Sequence, residues 1–492
     1  MTSLEKANLY QEQNRIDKRE KPIFHLTPPV GWMNDPNGFS FYQGKIHLFY
    51  QYHPYSDVWG PMHWGHSVSE DFVKWEGLPV AMAPDMDYDA NGCFSGSAIE
   101  TENGHILVYT GVAERKREDG AIEMIQHQCL AVGDGIHYQK EKDNPVIPVS
   151  LLPEELSGED FRDPKIWKEE GNYYLVAGSK NKQQNGQAVL FVSEDLQNWQ
   201  YLSVLADNRG KYGKMWECPD FFSLGQKQVL IVSPMNMQAD GKEFHNGNQS
   251  IAMIGEYDRQ NYHLLEEQVI SLDYGTDFYA PQTMQAEDGR RIMIAWMHSW
   301  DMDIKPAEQK WNGMMTIPRQ LELRDGVLHQ NPVKELENYR TDAVICKGKQ
   351  LTGKTMIPGI KGRVLDLTIE LTEGDYEIFT IYFAKSDKYF TSLRYVRATQ
   401  TIEFERTYSG VAKDVVCQRS MKIKNTQNTK NTLKLRLILD MYSVELFVNN
   451  GIQTFTSTFY TPLDAEDIMF ECDGKVEANI EKYKIEINDG EN

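Results

Sequence analysis

Short apolar runs recur along the first two thirds of the chain, each about one strand in length. Gly, Asn and Asp turns separate them, and five of them are KIHLFYQY (45–52), HILVYTGV (105–112), NYYLVAGS (172–179), QVLIVSPM (228–235) and RIMIAWMH (291–298). Helical periodicity is nearly absent between these runs. The pattern therefore predicts an all-β structure for this part of the chain.

The same region contains an internal repeat. SEDFVKWEGL (69–78) returns as SEDLQNWQYL (193–202). The related segment VGDGIHYQKE (132–141) lies midway between them, and GEYDRQNYHLL (255–265) follows. Their aromatic residues are spaced by 63, 61 and 63 residues, and a degenerate fifth copy follows 66 residues later: Trp75, Tyr138, Trp199, Tyr262 and Leu328. All-β units of about 60 residues are typical of propeller blades. Five copies predict a five-bladed β-propeller over residues 21–335.

The chain of 492 residues exceeds the roughly 250 to 300 at which a single core stops growing, so a second domain is expected. NPVKELENYR (331–340) loses the repeat and predicts a short helix capped by Asn331, with a linker helix over 336–344. Alternating runs such as RVLDLTIEL and YEIFTIYFA then predict a β-sandwich over 345–492. The polar residues 1–20 are predicted to form a helical N-terminal extension.

Composition and charge exclude several kinds of partner. No apolar run approaches the ~18 residues of a membrane-spanning helix, and a formal net charge of -21 disfavours nucleic acid and anionic lipid. The six cysteines are scattered without metal-ligand spacing. Together with the polar N-terminus, they predict reduced thiols and a cytoplasmic location. The oligomeric state stays open.

Each repeat unit opens on a polar or aromatic motif. The motifs are NDPNG (34–38), CFSGS (93–97), FRDPK (161–165), WECPD (216–220) and FYAPQ (278–282). An isolated Asp-Pro or Asn-Gly pair usually marks a turn, but turn chemistry does not explain why acids recur in phase with the repeat. We therefore expect Asp35, Asp163 and Glu217 to converge at the propeller axis.

Aromatic residues accompany these acids, as in pockets that bind sugar rings: Trp32, Trp59, Phe94, Trp216 and Trp296. Cleavage of a glycosidic bond needs one carboxyl group that is protonated and one that is ionised. Glu217, between Trp216 and Cys218, is the better candidate for the acid. Asp35, between Asn34 and Asn37, is the better candidate for the carboxylate.

The segments WMNDPNG, FSGS, FRDP and ECPD, in this order, resemble the motifs of glycoside hydrolase family 32, the invertases and fructan hydrolases. The resemblance covers nearly the whole chain and includes GPMHWGHSVSEDFVKWEGLP and YDANGCFSGSA. It implies that Asp35 is the nucleophile, Glu217 the acid/base and Asp163 a stabiliser of the transition state. It also implies a pocket for the terminal fructosyl unit, with these candidate residues: Trp32, Asn34, Gln51, Trp59, Phe94, Ser95, Arg162, Tyr279 and Trp296.

Some of these roles have alternatives. Tyr279 and Trp296 could equally serve propeller packing, and Arg162 could keep Asp163 ionised. The acidic loop DMDYDANG resembles a calcium loop, but its twelfth position is Ala98, so no metal is expected.

The resemblance implies a retaining enzyme that acts by double displacement without a metal or organic cofactor. Its two carboxyl groups should then lie about 5 to 5.5 Å apart, against roughly 6.5 to 9.5 Å in an inverting relative. Expected substrates are sucrose, sucrose 6-phosphate or short fructo-oligosaccharides. A fructan exo-hydrolase acting on inulin or levan and a non-catalytic sugar-binding propeller are alternatives. A phosphate would need a basic contact, for which Lys305, Lys310 and Arg319 are candidates, although lone basic residues are usually solvated.

Overall fold

The computed structural model describes residues 1–117, 119–302, 304–410, 415–424 and 432–487. Five antiparallel sheets, each a meander of four strands in chain order, form the blades of a β-propeller. Blade 1 contains β1 (Gly31–Tyr42), β2 (Lys45–His53), β3 (His63–Ser69) and β4 (Trp75–Gly77). Blade 2 contains β5 (Gly92–Thr101), β6 (Gly104–Lys116), β7 (Ile122–Gly133) and β8 (Tyr138–Lys140).

The remaining blades follow the same plan. Blade 3 contains β9 (Leu156–Glu169), β10 (Asn172–Asn181), β11 (Gly186–Ser193) and β12 (Gln200–Asp207). Blade 4 contains β13 (Met215–Leu224), β14 (Lys227–Met235), β15 (Ile251–Asp258) and β16 (His263–Ser271). Blade 5 contains β17 (Tyr279–Gln285), β18 (Arg291–Trp296), β20 (Arg319–Arg324) and β21 (Val327–Pro332). The short β19 (Trp311–Asn312) lies between β18 and β20 along the chain but adds to the sheet of blade 1.

The sequence repeat corresponds to the blades. The five apolar runs are the second strands of the blades, whose side chains are largely buried because sheets pack on both of their faces. The five repeat markers occur at the start of the fourth strands. The predicted five-bladed propeller is confirmed.

The connection between blade 5 and blade 1 is a short parallel contact. Trp311 and Asn312 of β19 pair with Gly31 and Trp32 at the start of β1. This pairing joins the last blade to the first and covers the end of β1 that enters the pocket.

The second domain has the architecture of a β-sandwich, as predicted. Its strands are β22 (Arg340–Thr355), β23 (Leu365–Asp375), β24 (Ile378–Lys385), β25 (Thr391–Val396), β26 (Thr401–Glu405), β27 (Gln418–Lys422), β28 (Leu433–Asp440), β29 (Ser443–Val448), β30 (Gln453–Thr458) and β31 (Asp467–Ile485). The long β31 pairs with β24 through its first residues and with β23 through its later ones, so it links the two layers. Leu367, Ile381, Phe455 and Phe470 are among the core residues.

The segment between the domains differs from the prediction. Asn331 and Pro332 do not cap a helix, because they complete β21 opposite Gln320 and Arg319. The helix is a short 3₁₀ helix over Lys334–Tyr339, and the first strand of the sandwich sheet already begins at Arg340. The predicted linker helix over 336–344 was therefore placed too late. Residues 488–492 of the predicted sandwich lie outside the described residues.

The N-terminal region contains the helix α1 (Ser3–Asn14), which starts with a capping box. The hydroxyl of Thr2 accepts from the Glu5 amide (3.1 Å), and the Glu5 carboxylate accepts from the Thr2 amide (2.7 Å). Among the described residues, helices are all too short or too polar to cross a membrane.

A buried polar network fixes the sandwich against the propeller. Arg319 is bonded to Glu445 (2.5 Å) and Asp273 (3.0 Å), and all three side chains are almost fully buried. His25 contacts Asp440 and Glu445, each at 2.9 Å. Arg319 is thus committed to the domain interface, and its candidacy as a phosphate contact was wrong.

Candidate active site

Every sequence motif coincides with a register shift in the first strand of its blade. The pairing slips between Met33 and Pro36, Phe94 and Gly96, Arg162 and Lys165, Glu217 and Asp220, and Tyr279 and Gln282. At three of these bulges the residue before the proline has a positive φ: Asp163 (64°), Cys218 (48°) and Ala280 (52°). A bulge bends its strand and redirects side chains. The motifs therefore bring residues from five blades together at one end of the propeller.

Asp35 lies at the centre of this group and is buried. Its Oδ2 accepts from the Ser95 hydroxyl at 2.7 Å, and its Oδ1 accepts from the Asn34 amide at 3.1 Å. The Trp32 indole N–H donates to the Asn34 side-chain oxygen at 2.8 Å. That bond sets the orientation of the Asn34 amide and so aims its N–H group at Asp35.

Cys218 connects Asp35 with Asp163. Its sulfur lies 3.6 Å from the Oδ2 atom of each carboxyl group, and its backbone N–H donates to Asp163 at 2.9 Å. The Asp163 backbone N–H donates to the Thr110 hydroxyl at 3.0 Å. The motif WECPD does not reveal this contact, because the position of the Cys218 thiol depends on the bulge in its strand.

Glu217 is held by two side chains from neighbouring blades. Arg162 donates to its Oε1 through Nε (3.1 Å) and Nη2 (3.0 Å), and Tyr279 donates to its Oε2 at 2.7 Å. The Tyr279 hydroxyl also lies 3.0 Å from the Ser233 carbonyl oxygen. Its one proton can serve only one of these acceptors.

The position of Tyr279 suits both forms of the glutamate. With Glu217 ionised, the Tyr279 hydroxyl donates to the carboxylate. With Glu217 protonated, the carboxyl O–H donates to Tyr279, which in turn donates to Ser233. Such a contact accommodates a group that releases and then regains a proton.

Burial raises the pKa of Asp35, and the charge of Glu217 raises it further. Hydrogen bonds from Ser95 and Asn34 act in the opposite direction but do not outweigh burial. Burial thus opposes the expectation that the flanking amides keep Asp35 charged. Of these amides only Asn34 donates to Asp35, because the Asn37 side-chain oxygen accepts from the Gly96 amide (3.2 Å) and its side-chain nitrogen has no hydrogen-bond partner in the described structure.

Burial also raises the pKa of Asp163, against the opposing charge of Arg162. The charges of Glu217 and Asp35 add to the increase. Arg162 lies nearer to Glu217 (3.0 Å) than to Asp163 (4.0 Å). The Arg162 guanidinium thus lies beside Glu217 and Asp163, and the charges of the three carboxyl groups act on one another.

Aromatic residues form the wall of this pocket. Trp32, Tyr279, Trp296 and Phe94 belong to one apolar cluster with Cys218. Trp59 packs edge-on against Phe94 at 6.0 Å and is 48% exposed. The pocket therefore has a buried apolar base and an exposed indole at its rim.

Gln51 and Trp216, two residues singled out in the sequence, differ in where their side chains lie. Gln51 is buried and donates to the Cys93 carbonyl oxygen at 2.9 Å, beside Phe94. Trp216, which accompanies the acids in sequence, points away from the pocket: its side chain lies in the core between blades and donates to the Tyr212 carbonyl oxygen at 2.8 Å.

The sequence reasoning missed Trp300. This residue is 39% exposed and stacks on Trp32, with 6.3 Å between ring centroids and 18° between planes. A signal was present, because Trp300 lies in the connection after the run RIMIAWMH (291–298), as Trp59 lies in the connection after KIHLFYQY (45–52). Connections after second strands end at the same side of the blades as the motifs.

Two protein-family models together match nearly the whole chain. The model for the glycosyl hydrolases family 32 N-terminal domain matches residues 25–332, and the model for the family 32 C-terminal region matches residues 333–487. The chain belongs to glycosyl hydrolase family 32. The resemblance drawn from the four motifs is thereby confirmed.

Relatives in the family cover the chain almost completely. A raffinose invertase of Escherichia coli is 37% identical over 91% of this chain and 91% of its own length. A sucrose-6-phosphate hydrolase of Zymomonas mobilis is 37% identical over 90% of this chain and 88% of its own length. The solved structure of the family 32 β-fructofuranosidase BmSUC1 of Bombyx mori is similar to this chain with a TM-score of 0.85, at 33% identity, over 98% of this chain and 97% of that one.

Proposed function

We propose that this family 32 protein is a retaining β-fructofuranosidase that releases terminal fructosyl units from sucrose, sucrose 6-phosphate or short fructo-oligosaccharides. The observation that carries the proposal is the cluster of three acids: Cys218 contacts both Asp35 and Asp163, and Arg162 lies beside both Asp163 and Glu217. The names of the relatives, an invertase and a sucrose-6-phosphate hydrolase, support the same sugar linkage.

In the first step, the Asp35 carboxylate attacks C2 of the fructosyl unit. The bond from C2 to the leaving oxygen breaks while Glu217 donates its proton to that oxygen. This division of roles requires the charge on Asp35. A proton on Glu217 removes the repulsion that adds to the effect of burial on the pKa of Asp35, and the hydrogen bonds from Ser95 and Asn34 oppose burial.

In the second step, water attacks C2 of the fructosyl-enzyme and the bond to Asp35 breaks. Glu217 takes the proton from this water, which returns both carboxyl groups to their starting states. The Tyr279 hydroxyl supports both forms of Glu217, since it donates to the carboxylate or accepts from the carboxyl O–H. Glucose or its derivative and fructose are the products.

The other pocket residues are assigned to binding. Asp163, fixed by the Cys218 amide, accepts hydrogen bonds from sugar hydroxyls and stabilises positive charge at C2 in the transition state. Arg162 orients Glu217. The exposed face of Trp59 packs against the sugar, and the side chains that remain are assigned as contacts of the fructosyl unit: Trp32, Asn34, Gln51, Phe94, Ser95 and Trp296.

The test is turnover of sucrose, sucrose 6-phosphate and 1-kestose by the purified chain, with Asp35→Asn as the inactive control. Release of fructose by the wild type alone supports the proposal. Binding of sugar without release by either protein would favour the non-catalytic alternative. Preference for inulin or levan would make the chain a fructan exo-hydrolase.

The same comparison addresses the phosphate question. Lys305 is paired with Asp57 at 2.8 Å, whereas Lys310 is exposed. A lower KM for the 6-phosphate than for sucrose that disappears in Lys310→Gln would assign Lys310 to phosphate recognition. A cytoplasmic location also stays a prediction, supported by six cysteines that are all free thiols.

A further inference from the structure

One buried arginine of the sandwich contacts two segments of the propeller. Arg406 follows β26 and is fully buried. Its Nη1 donates to Asp277 at 2.6 Å, and its Nη2 lies 3.3 Å from the sulfur of Met302. Both segments continue into the pocket.

The first segment leads to Tyr279. Asp277 precedes Tyr279 by two residues. Its carboxylate accepts from the Thr458 amide of β30 (2.9 Å) and from Arg406, and its backbone N–H donates to the Thr456 carbonyl oxygen (3.2 Å). Burial would raise the pKa of Asp277, but the charge of Arg406 and the surrounding donors lower it below its usual value. An ionised, fixed Asp277 therefore anchors the start of β17, whose first side chain holds Glu217.

The second segment leads to Trp300. Met302 closes a tight turn, with its N–H donating to the Ser299 carbonyl oxygen at 3.0 Å, and Trp300 lies within that turn. Next to it, the Asp301 carboxylate accepts from the Asn248 amide of blade 4 at 2.6 Å. Trp300 stacks on Trp32, and Trp32 orients the amide of Asn34 toward Asp35.

We propose that Arg406 is a positioning residue through which the sandwich domain aligns the two carboxyl groups of the active site. It acts on Glu217 through Asp277 and Tyr279, and on Asp35 through Met302 and the stacked indoles. The inference rests on the proposed function for those carboxyl groups. Its physical basis is the rigid, planar guanidinium group, whose two terminal nitrogens hold Asp277 and Met302 in fixed positions relative to each other. Small displacements of reacting groups of about 1 Å can lower rates by about 100-fold.

The test compares Arg406→Met with Arg406→Lys and with a matched control, Arg363→Met. Arg363 is a buried arginine whose bonds to Met441 and Thr461 stay within the sandwich. Because Arg406→Met leaves Asp277 buried without its cation, the charge-neutral double variant Asp277→Asn/Arg406→Met is measured beside it. Circular dichroism selects the temperature at which each variant is folded.

We expect kcat/KM for sucrose to fall by at least about 10-fold in Arg406→Met and in the double variant, mainly through kcat. The pH–rate profile and the near-ultraviolet dichroism of the Trp32–Trp300 pair should change with it. Arg406→Lys should have the wild-type pH–rate profile, because the lysine cation still reaches Asp277. It should not restore the wild-type near-ultraviolet dichroism of the indoles. Arg363→Met should lose stability while keeping the wild-type kcat, KM and profile.

Two results would overturn the inference. One is a folded Arg406→Met or double variant whose kcat, KM and pH profile equal those of Arg363→Met. The other is an indole signal that is unchanged in every variant. Failure of the proposed function is distinguishable, since the wild type itself would then release no fructose while the dichroism still reports the alignment of Trp300.

Discussion

His25 offers a quantitative test of the domain interface. Its Nδ1 lies 2.9 Å from Asp440 and its Nε2 lies 2.9 Å from Glu445, in a site without solvent access. Carboxylates only accept hydrogen bonds, so both contacts are satisfied only when both ring nitrogens carry protons. Burial alone would lower the pKa of His25, but the bonds and charges of the two acids raise it to about 9.

The sign and size of the effect follow from this pKa. Because the folded-state pKa lies above the unfolded value of 6.5, the stabilisation is complete below about pH 6.5 and is lost as the pH rises through about 9. At 1.36 kcal/mol per pKa unit, the shift corresponds to about 3 kcal/mol of unfolding free energy. His25→Gln removes this contribution, since a glutamine amide donates without a charge.

The measurement is urea-induced unfolding of the wild type and His25→Gln at pH 6.5, 8 and 9.5. We expect the wild type to be more stable by about 3 kcal/mol at pH 6.5, and this difference to shrink strongly by pH 9.5. His137→Gln, at an exposed position where an ion pair contributes little, serves as the control and should change the unfolding free energy far less than His25→Gln. A difference between wild type and His25→Gln that is equal at all three pH values would refute the reasoning.

Four predictions concern the chemistry. Asp35→Ala and Glu217→Ala should each lower sucrose turnover by several orders of magnitude without additivity, and near-normal steady-state rates for Glu217→Ala would remove it as the acid. Asp163→Asn should lower kcat/KM for sucrose by weakening transition-state binding, whereas an unchanged rate would leave Asp163 a structural role. Tyr279→Phe should lower kcat by about 10- to 100-fold, corresponding to one hydrogen bond to a charged group, and steady-state kinetics with an unaltered kcat would contradict that role. Retention predicts that NMR detects β-fructofuranose first and that concentrated sucrose yields some trisaccharide; the α-anomer first would favour an inverting enzyme.

The sequence by itself determined the architecture of the propeller. Its second strands are buried on both faces and are therefore written as continuous apolar runs, and the radial repetition of blades appears as a repeat of about 60 residues. The motifs could be located because they recur in phase with that repeat. The boundary at Asn331 and Pro332 was misjudged, since a cap signature and the end of a strand look alike until the pairing partner, Arg319, is known.

Only the tertiary structure decided how the pocket residues meet. Arg162 contacts Glu217 more closely than Asp163, Cys218 bridges Asp35 and Asp163, and Trp216 turns into the core. These outcomes depend on strand bulges, where one extra residue redirects the side chains that follow. Spacing along the chain gives the blade in which a residue lies, but contacts between blades arise from packing across the axis, which no local pattern encodes.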